Sequence, residues 1–159
     1  MKNAYRNIAV TSIATLALGW GSLAIAQDSD NFEVTAEVIG VCEITAGNAL
    51  AFGDYNPVTG TAVDGSTTIS GTCSNGMDGT GVGLASTGIM SGGGANDLTY
   101  GLFQEAGRTT DWGDSELERQ SVAADGTAQV MTVYGRINAG QTTAPIGSYA
   151  ETVTATVYF

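Results

Sequence analysis

The sequence predicts an all-β protein, an antiparallel β-sandwich of immunoglobulin-like shape, and three observations predict it. Seven short segments of strand character follow one another along the chain, separated by turn chemistry. Glycine is abundant at 23 residues while proline is limited to 2, which suits tight turns between strands. Beyond the first 26 residues no segment shows a convincing apolar period of 3.6.

The elements are justified in chain order, beginning with a leader. Lys2 and Arg6 form a basic start, Ile8 to Leu18 is largely apolar, and Ala24-Ile25-Ala26 is a small-x-small cleavage site before Gln27. Residues 1–26 are therefore read as a secretory signal peptide. A membrane anchor is the competing reading, because the uncharged run from Asn7 to Gln27 approaches spanning length. Thr11, Ser12, Thr15, Gly19, Gly21 and Ser22 dilute that run, and the cleavage motif stands where a stop-transfer charge belongs. Cleavage leaves 133 residues, the size of one domain with one core.

The first strand is expected over Phe32 to Ile44, where Phe32, Val34, Ala36 and Val38 alternate with Glu33, Thr35 and Glu37. Further strands are expected at Leu50 to Tyr55, Ser66 to Cys73, Gly81 to Ser86, Leu98 to Gln104 and Gln129 to Ile137. Asn56-Pro57, Asp64-Gly65, Ser74-Asn75-Gly76, Ser91-Gly92-Gly93-Gly94 and Asp125-Gly126 supply turns between them, each permitting positive φ or presetting φ. Glu116 to Ala124 could form a helical turn. The last strand, Glu151 to Phe159, points Val153, Ala155, Val157 and Phe159 one way and Thr152, Thr154, Thr156 and Tyr158 the other. Strands with one apolar edge thus stand at both ends of the mature chain, a pairing that suggests polymerisation through strands.

Charge and composition exclude whole classes of function. Removing the leader takes Lys2 and Arg6 from a formal charge of −11 and leaves about −13, with Arg108, Arg119 and Arg136 as the remaining side-chain cations. Nucleic acid is excluded as a partner because phosphate neutralisation needs a basic face. The mature chain has no lysine and no histidine, which removes Schiff-base chemistry, Ser-His-Asp and Cys-His nucleophiles and His-ligated metals. No enzyme activity, cofactor or metal is expected.

Other motifs are weighed the same way. Cys42 and Cys73 follow an export signal and lack Cys-x-x-Cys spacing, so a structural disulfide is expected rather than a redox pair. Gly88 to Gly94 lacks the lysine and following helix of a phosphate loop and reads as an exposed loop. Asp28, Asp30 and Glu33, and further on Asp111, Asp114, Glu116 and Glu118, could offer calcium oxygen ligands but lack EF-hand spacing and read as solvated surface. Nothing places two carboxylates across a cleft for glycoside hydrolysis. Trp112, Tyr55, Tyr100, Tyr134 and Tyr149 could stack on sugars, though aromatics in or beside strands belong more often to the core and its rim.

Taken in order, the motifs resemble the spore coat protein U domain family, which also holds the subunits of archaic chaperone-usher pili. The carriers are Cys42 after the alternating segment, Phe52-Gly53-Asp54-Tyr55, and Gly65-Ser66-Thr67-Thr68-Ile69-Ser70-Gly71-Thr72-Cys73. Leu98-Thr99-Tyr100-Gly101-Leu102-Phe103, Trp112-Gly113, Val133-Tyr134-Gly135-Arg136-Ile137 and Gly147-Ser148-Tyr149-Ala150-Glu151-Thr152-Val153 continue the pattern. Glu151 stands where the family usually has aspartate, and Phe103 where tyrosine is common.

The resemblance implies an incomplete immunoglobulin-like sandwich that lacks its last strand and is completed by a donor strand. It divides the chain into the signal peptide 1–26, a donor segment 27–40 with Phe32, Val34, Ala36 and Val38 as plugs, and a pilin-like domain 41–159. It also implies a subunit of a surface pilus serving adhesion and biofilm formation. Like subunits would join head to tail, after export through the periplasm with a chaperone and an outer-membrane usher. A non-polymerising secreted or spore-coat structural protein of the same family is the alternative, and a secreted carbohydrate-binding module a further one.

Overall fold

The structure, a computed structural model, describes residues 27–92 and 96–159; the signal-peptide reading falls on residues 1–26 and lies outside the described residues. The chain divides at residue 36 into an N-terminal unit and the domain Glu37–Phe159. Of the N-terminal unit, residues 27–36 carry no regular secondary structure and are exposed.

The domain is built of strands alone among the described residues: β1 Cys42–Ala46, β2 Val63–Cys73, β3 Gly81–Ala85, β4 Ile89–Met90, β5 Leu98–Phe103, β6 Gln120–Ser121, β7 Gln129–Ile137 and β8 Thr154–Tyr158. They form a five-stranded sheet in the order β1-β2-β7-β5-β4 and a three-stranded sheet in the order β6-β3-β8, with every pairing antiparallel. Inward residues of both sheets meet in a shared core, beside which Met90, Leu98 and Ile137 form a second, smaller cluster. Ile69, Leu102, Met131 and Val133 from the larger sheet pack against Val82 and Leu84 from the smaller, with Trp112 and Val122 closing the sides. Trp112 is 2% exposed, and its indole Nε1 donates to the Val82 carbonyl at 2.9 Å, so this aromatic is core rather than a sugar platform. Cys42 and Cys73 stand opposite each other at the first register pair of β1 and β2 and form a disulfide.

Several expectations are corrected. Leu50 to Tyr55 is not a strand. At Gly47 the chain passes so close to the Thr68 carbonyl that a Cβ would stand 2.6 Å from it, and it then leaves the β2 edge and crosses the inner face. Gly65 and Gly135 oppose each other in the β2–β7 register and leave a bare notch there, which Leu50 and Phe52 fill. Asp64-Gly65 is accordingly not a turn but lies inside β2, where Asp64 faces Arg136 across the ladder. From the expected strand Phe32 to Ile44, only the part from Cys42 finds a ladder partner, and a strand without one is not stable. Glu116 to Ala124 forms a turn at 116–118 and then β6, not a helical turn. The described part of Gly88 to Gly94 includes β4, held to β5, so it is not only a loop.

Candidate functional site: an open groove between the sheets

One side of the sandwich is unfinished. β8 pairs with β3 along one edge and with nothing along the other among the described residues, so alternate backbone N–H and C=O groups are left facing outward. β1 lies close to β8, yet no ladder joins them. Beyond β1 the segment 47–55 keeps a strand-like alternation, with Leu50, Phe52 and Tyr55 half-buried and Ala51, Gly53 and Asp54 exposed, but it too lacks a ladder partner. Two unpaired stretches of backbone therefore flank one opening.

Between them runs an apolar groove. Its inner part is a cavity of 420 Å³ with Ile69, Leu84, Leu102 and Val133 among its lining residues and Val153 and Ala155 along its β8 side. Leu50, Phe52, Met90 and Tyr149 also line a second cavity of 680 Å³, which extends past Leu98 and Ile137. Val153, Ala155 and Val157 pack against the core but are only half-buried, whereas Phe159 is 65% exposed. Of the N-terminal alternating residues, Phe32 is 87%, Val34 81% and Val38 94% exposed, and Ala36 is exposed as well.

The rim of the groove is polar and tightly bonded. Glu151, just ahead of β8, accepts hydrogen bonds on Oε1 from the Thr87 amide at 2.5 Å and the Thr87 hydroxyl at 2.9 Å. Its Oε2 accepts from the Ser86 hydroxyl at 3.2 Å and the Ile89 amide at 3.3 Å. Burial is the largest single influence on this carboxyl and acts to raise its pKa, but hydrogen bonds from Tyr100, Thr87 and Ser86 together hold it below the ordinary carboxylate value. Tyr100, packed into the core beside Glu151, is pushed up to about 12, chiefly by burial. Tyr55 and Tyr149 line the larger cavity, and Tyr134 lies beneath the Arg108 guanidinium at 5.7 Å, so the aromatics do not share one exposed platform.

The acidic residues do not gather either. Asp114 Oδ1 accepts from the Tyr158 hydroxyl at 2.7 Å, and Glu118 Oε2 accepts from the Ser115 hydroxyl at 2.6 Å. Among the described residues no three His, Cys, Asp or Glu side chains are grouped to hold a metal. Sequence reasoning missed Glu151 as an anchor, having noted it only as a departure from the family's aspartate, and missed the Gly65–Gly135 notch. The pairing of two glycines across a ladder is a signal only once the register is known.

Comparisons with known proteins agree with this geometry. No curated protein matches the sequence significantly. Among solved structures, the crystal structure of the CsuC–CsuE chaperone–tip adhesion subunit pre-assembly complex, from the archaic chaperone-usher Csu pili of Acinetobacter baumannii, contains a chain with a similar fold. The TM-score is 0.51 and the identity 23%, over 77% of this chain and 40% of that one. This chain therefore spans less than half the length of its structural neighbour. A family model, the Spore Coat Protein U domain, matches residues 28–156, from just after the expected cleavage site to the middle of β8. With the match covering most of its length, this chain belongs to the Spore Coat Protein U domain family.

Proposed function

We propose that this protein is a structural, non-enzymatic subunit of a surface pilus, assembled when the N-terminal segment of one copy enters the groove of the next. The single observation that carries this reading is the open apolar groove flanked by the unpaired edge of β8 and the unpaired segment 47–55. A strand added there satisfies main-chain groups on both sides and sends alternate side chains into the groove, the β-augmentation mode for which pilin complementation is a standing example. Phe32, Val34, Ala36 and Val38 supply that alternation. Burying them contributes on the order of 5–8 kcal/mol before the costs of association.

Each copy then offers one strand and accepts another. Such contacts are head to tail and, where the rotation does not close, build a filament. The structural neighbour comes from a chaperone–subunit complex, which supports an assembly route in which a chaperone strand covers the groove in the periplasm until an outer-membrane usher exchanges it for the next subunit. Secretion to the cell surface by way of the leader at 1–26 belongs to the same reading, as does a role in adhesion and biofilm formation.

The test is removal of the donor. Deleting residues 27–38 is expected to leave a subunit that accepts a strand but offers none, so that detergent-resistant ladders disappear and a peptide of residues 31–39 raises its thermal midpoint. Val34→Asp in the full mature chain acts alike, because a charge cannot enter the apolar groove unpartnered. Ladders that persist in both variants would show that the segment is not the donor.

A further inference from the structure

The three arginines beyond the leader are used unequally. Arg136 and Arg108 both reach Asp64, at 2.7 and 3.3 Å. Arg119 alone of the three has no carboxylate within ion-pair distance among the described residues. Its guanidinium carbon lies 3.4 Å from the centre of the Tyr158 ring, while its Nε donates to the Asp114 carbonyl at 3.1 Å. The Tyr158 hydroxyl donates to Asp114 Oδ1, which holds the ring in place beneath the cation. Asp78 and Glu116 line the cleft on which Arg119 borders, but neither pairs with it.

Tyr158 ends β8 on the face opposite the inward Val157, next to the edge that has no partner. A strand seated on that edge with Phe32, Val34, Ala36 and Val38 inward presents Glu33 and Glu37 on the same outer face as Tyr158. Every pairing in this fold is antiparallel, and antiparallel ladders are the more stable per residue. In that direction the earlier residues of the strand lie at the Tyr158 end, which brings Glu33, not Glu37, toward Arg119. Neighbours on one face of a ladder, including diagonal ones, are within reach of long side chains.

We infer that Arg119 of one copy pairs with Glu33 of the next and so sets the register of the incoming strand. The inference rests on the donor-strand reading above and deepens it, since a slip by two residues would bring Asn31 or Thr35, both uncharged, to that place. A pair at the rim adds little affinity and acts mainly on specificity.

The experiment uses the full mature chain carrying Val34→Asp, whose own segment cannot compete, titrated with peptides of residues 31–39 at about 0.01 M ionic strength, where screening is weak. In the Arg119→Gln protein only the general attraction of the acidic chain for the more positive peptide remains; measured against it, Arg119 is expected to shift the binding ratio about two- to fivefold toward the native peptide over the Glu33→Arg peptide. Arg119→Glu shifts the ratio the opposite way, and raising the salt to about 1 M erases both shifts. The glutamine variant keeps the test decisive should the charge reversal disturb folding. The same ratio of the two peptides' affinities in all three proteins overturns the pair, and so does a shift that follows Glu37→Arg instead of Glu33→Arg. Failure of every peptide to bind overturns the donor-strand reading itself, and the pair with it.

Discussion

Glu151 shows how a single carboxylate can hold the entrance of the groove. Its two oxygens take hydrogen bonds from the Ser86–Ile89 turn, 62 to 65 residues earlier in the chain, and thereby tie the lead-in of β8 to the turn after β3. Because these bonds favour the charged form, the folded-state pKa lies below that of the unfolded chain. The stabilisation is therefore present above the ordinary carboxylate pKa and is lost as the pH falls through the lowered value. Unfolding followed from pH 7 into the acid range is expected to show a loss in the native protein that Glu151→Gln shows much less. At neutral pH the substitution is expected to cost about 1.5–3 kcal/mol, the scale of hydrogen bonds to a charged group, by denaturant titration. Such a role is not legible in the sequence, since the donors Ser86 and Thr87 are ordinary turn residues until the fold brings them to Glu151. Cys42 and Cys73 are legible, because export and an even count suffice to pair them.

At the scale of elements, periodicity found what a ladder stabilises and overreached where no ladder exists. Gln129 to Ile137 is reproduced residue for residue as β7, a strand whose inward positions Met131, Val133 and Ile137 are buried. Phe32 to Val38 and Leu50 to Tyr55 alternate as well, but neither finds a ladder partner among the described residues, and Leu50 and Phe52 sit instead in the notch at Gly65 and Gly135. β4 and β6, two residues each, are too short to carry a period at all. The notch can be tested directly. A Cβ on Gly135 would stand 2.8 Å from the Phe52 ring and 3.0 Å from Leu50 Cδ1, so Gly135→Val must push both side chains off their seat. The variant is expected to lose about 1–3 kcal/mol of stability, measured by denaturant unfolding. It should also bind the 31–39 peptide more weakly, because the displaced ring intrudes on the groove it now borders.

The molecule as a whole is a set of long-range ladders with one opening. Its longest ladder joins β2 to β7, and β3 pairs with the distant β8, so sequence-distant segments must meet before either sheet is complete, a topology that folds slowly and exposes edges meanwhile. A chain with an apolar groove and an unpaired strand edge is prone to association through that edge. The fold class was legible from spacing and turn chemistry, and the opening only through the family resemblance: alternation at the two ends of the chain says that strands want partners, and the sheet order says which edge is vacant.

The position of the Cys42–Cys73 bridge has a mechanical consequence. Only Ile39, Gly40 and Val41 separate Val38 from Cys42, so in the filament proposed above tension drawn through residues 27–38 would enter each subunit at the first residue of β1. The bridge passes that tension at once to the end of β2, which is laddered to β7 over nine residues, and spares the five-residue edge strand and the groove wall that follows it. Stretched filaments are therefore expected to yield at lower force once reduced, each subunit paying out about 45–50 Å as β1 and the segment up to Tyr55 peel away. In oxidised filaments that extension should be missing from force–distance traces, and identical traces before and after reduction would show that the tether pulls elsewhere. In such a filament a covalent link between neighbouring strands would act as a strain relief, keeping the pull on one joint from loosening the grip on the next.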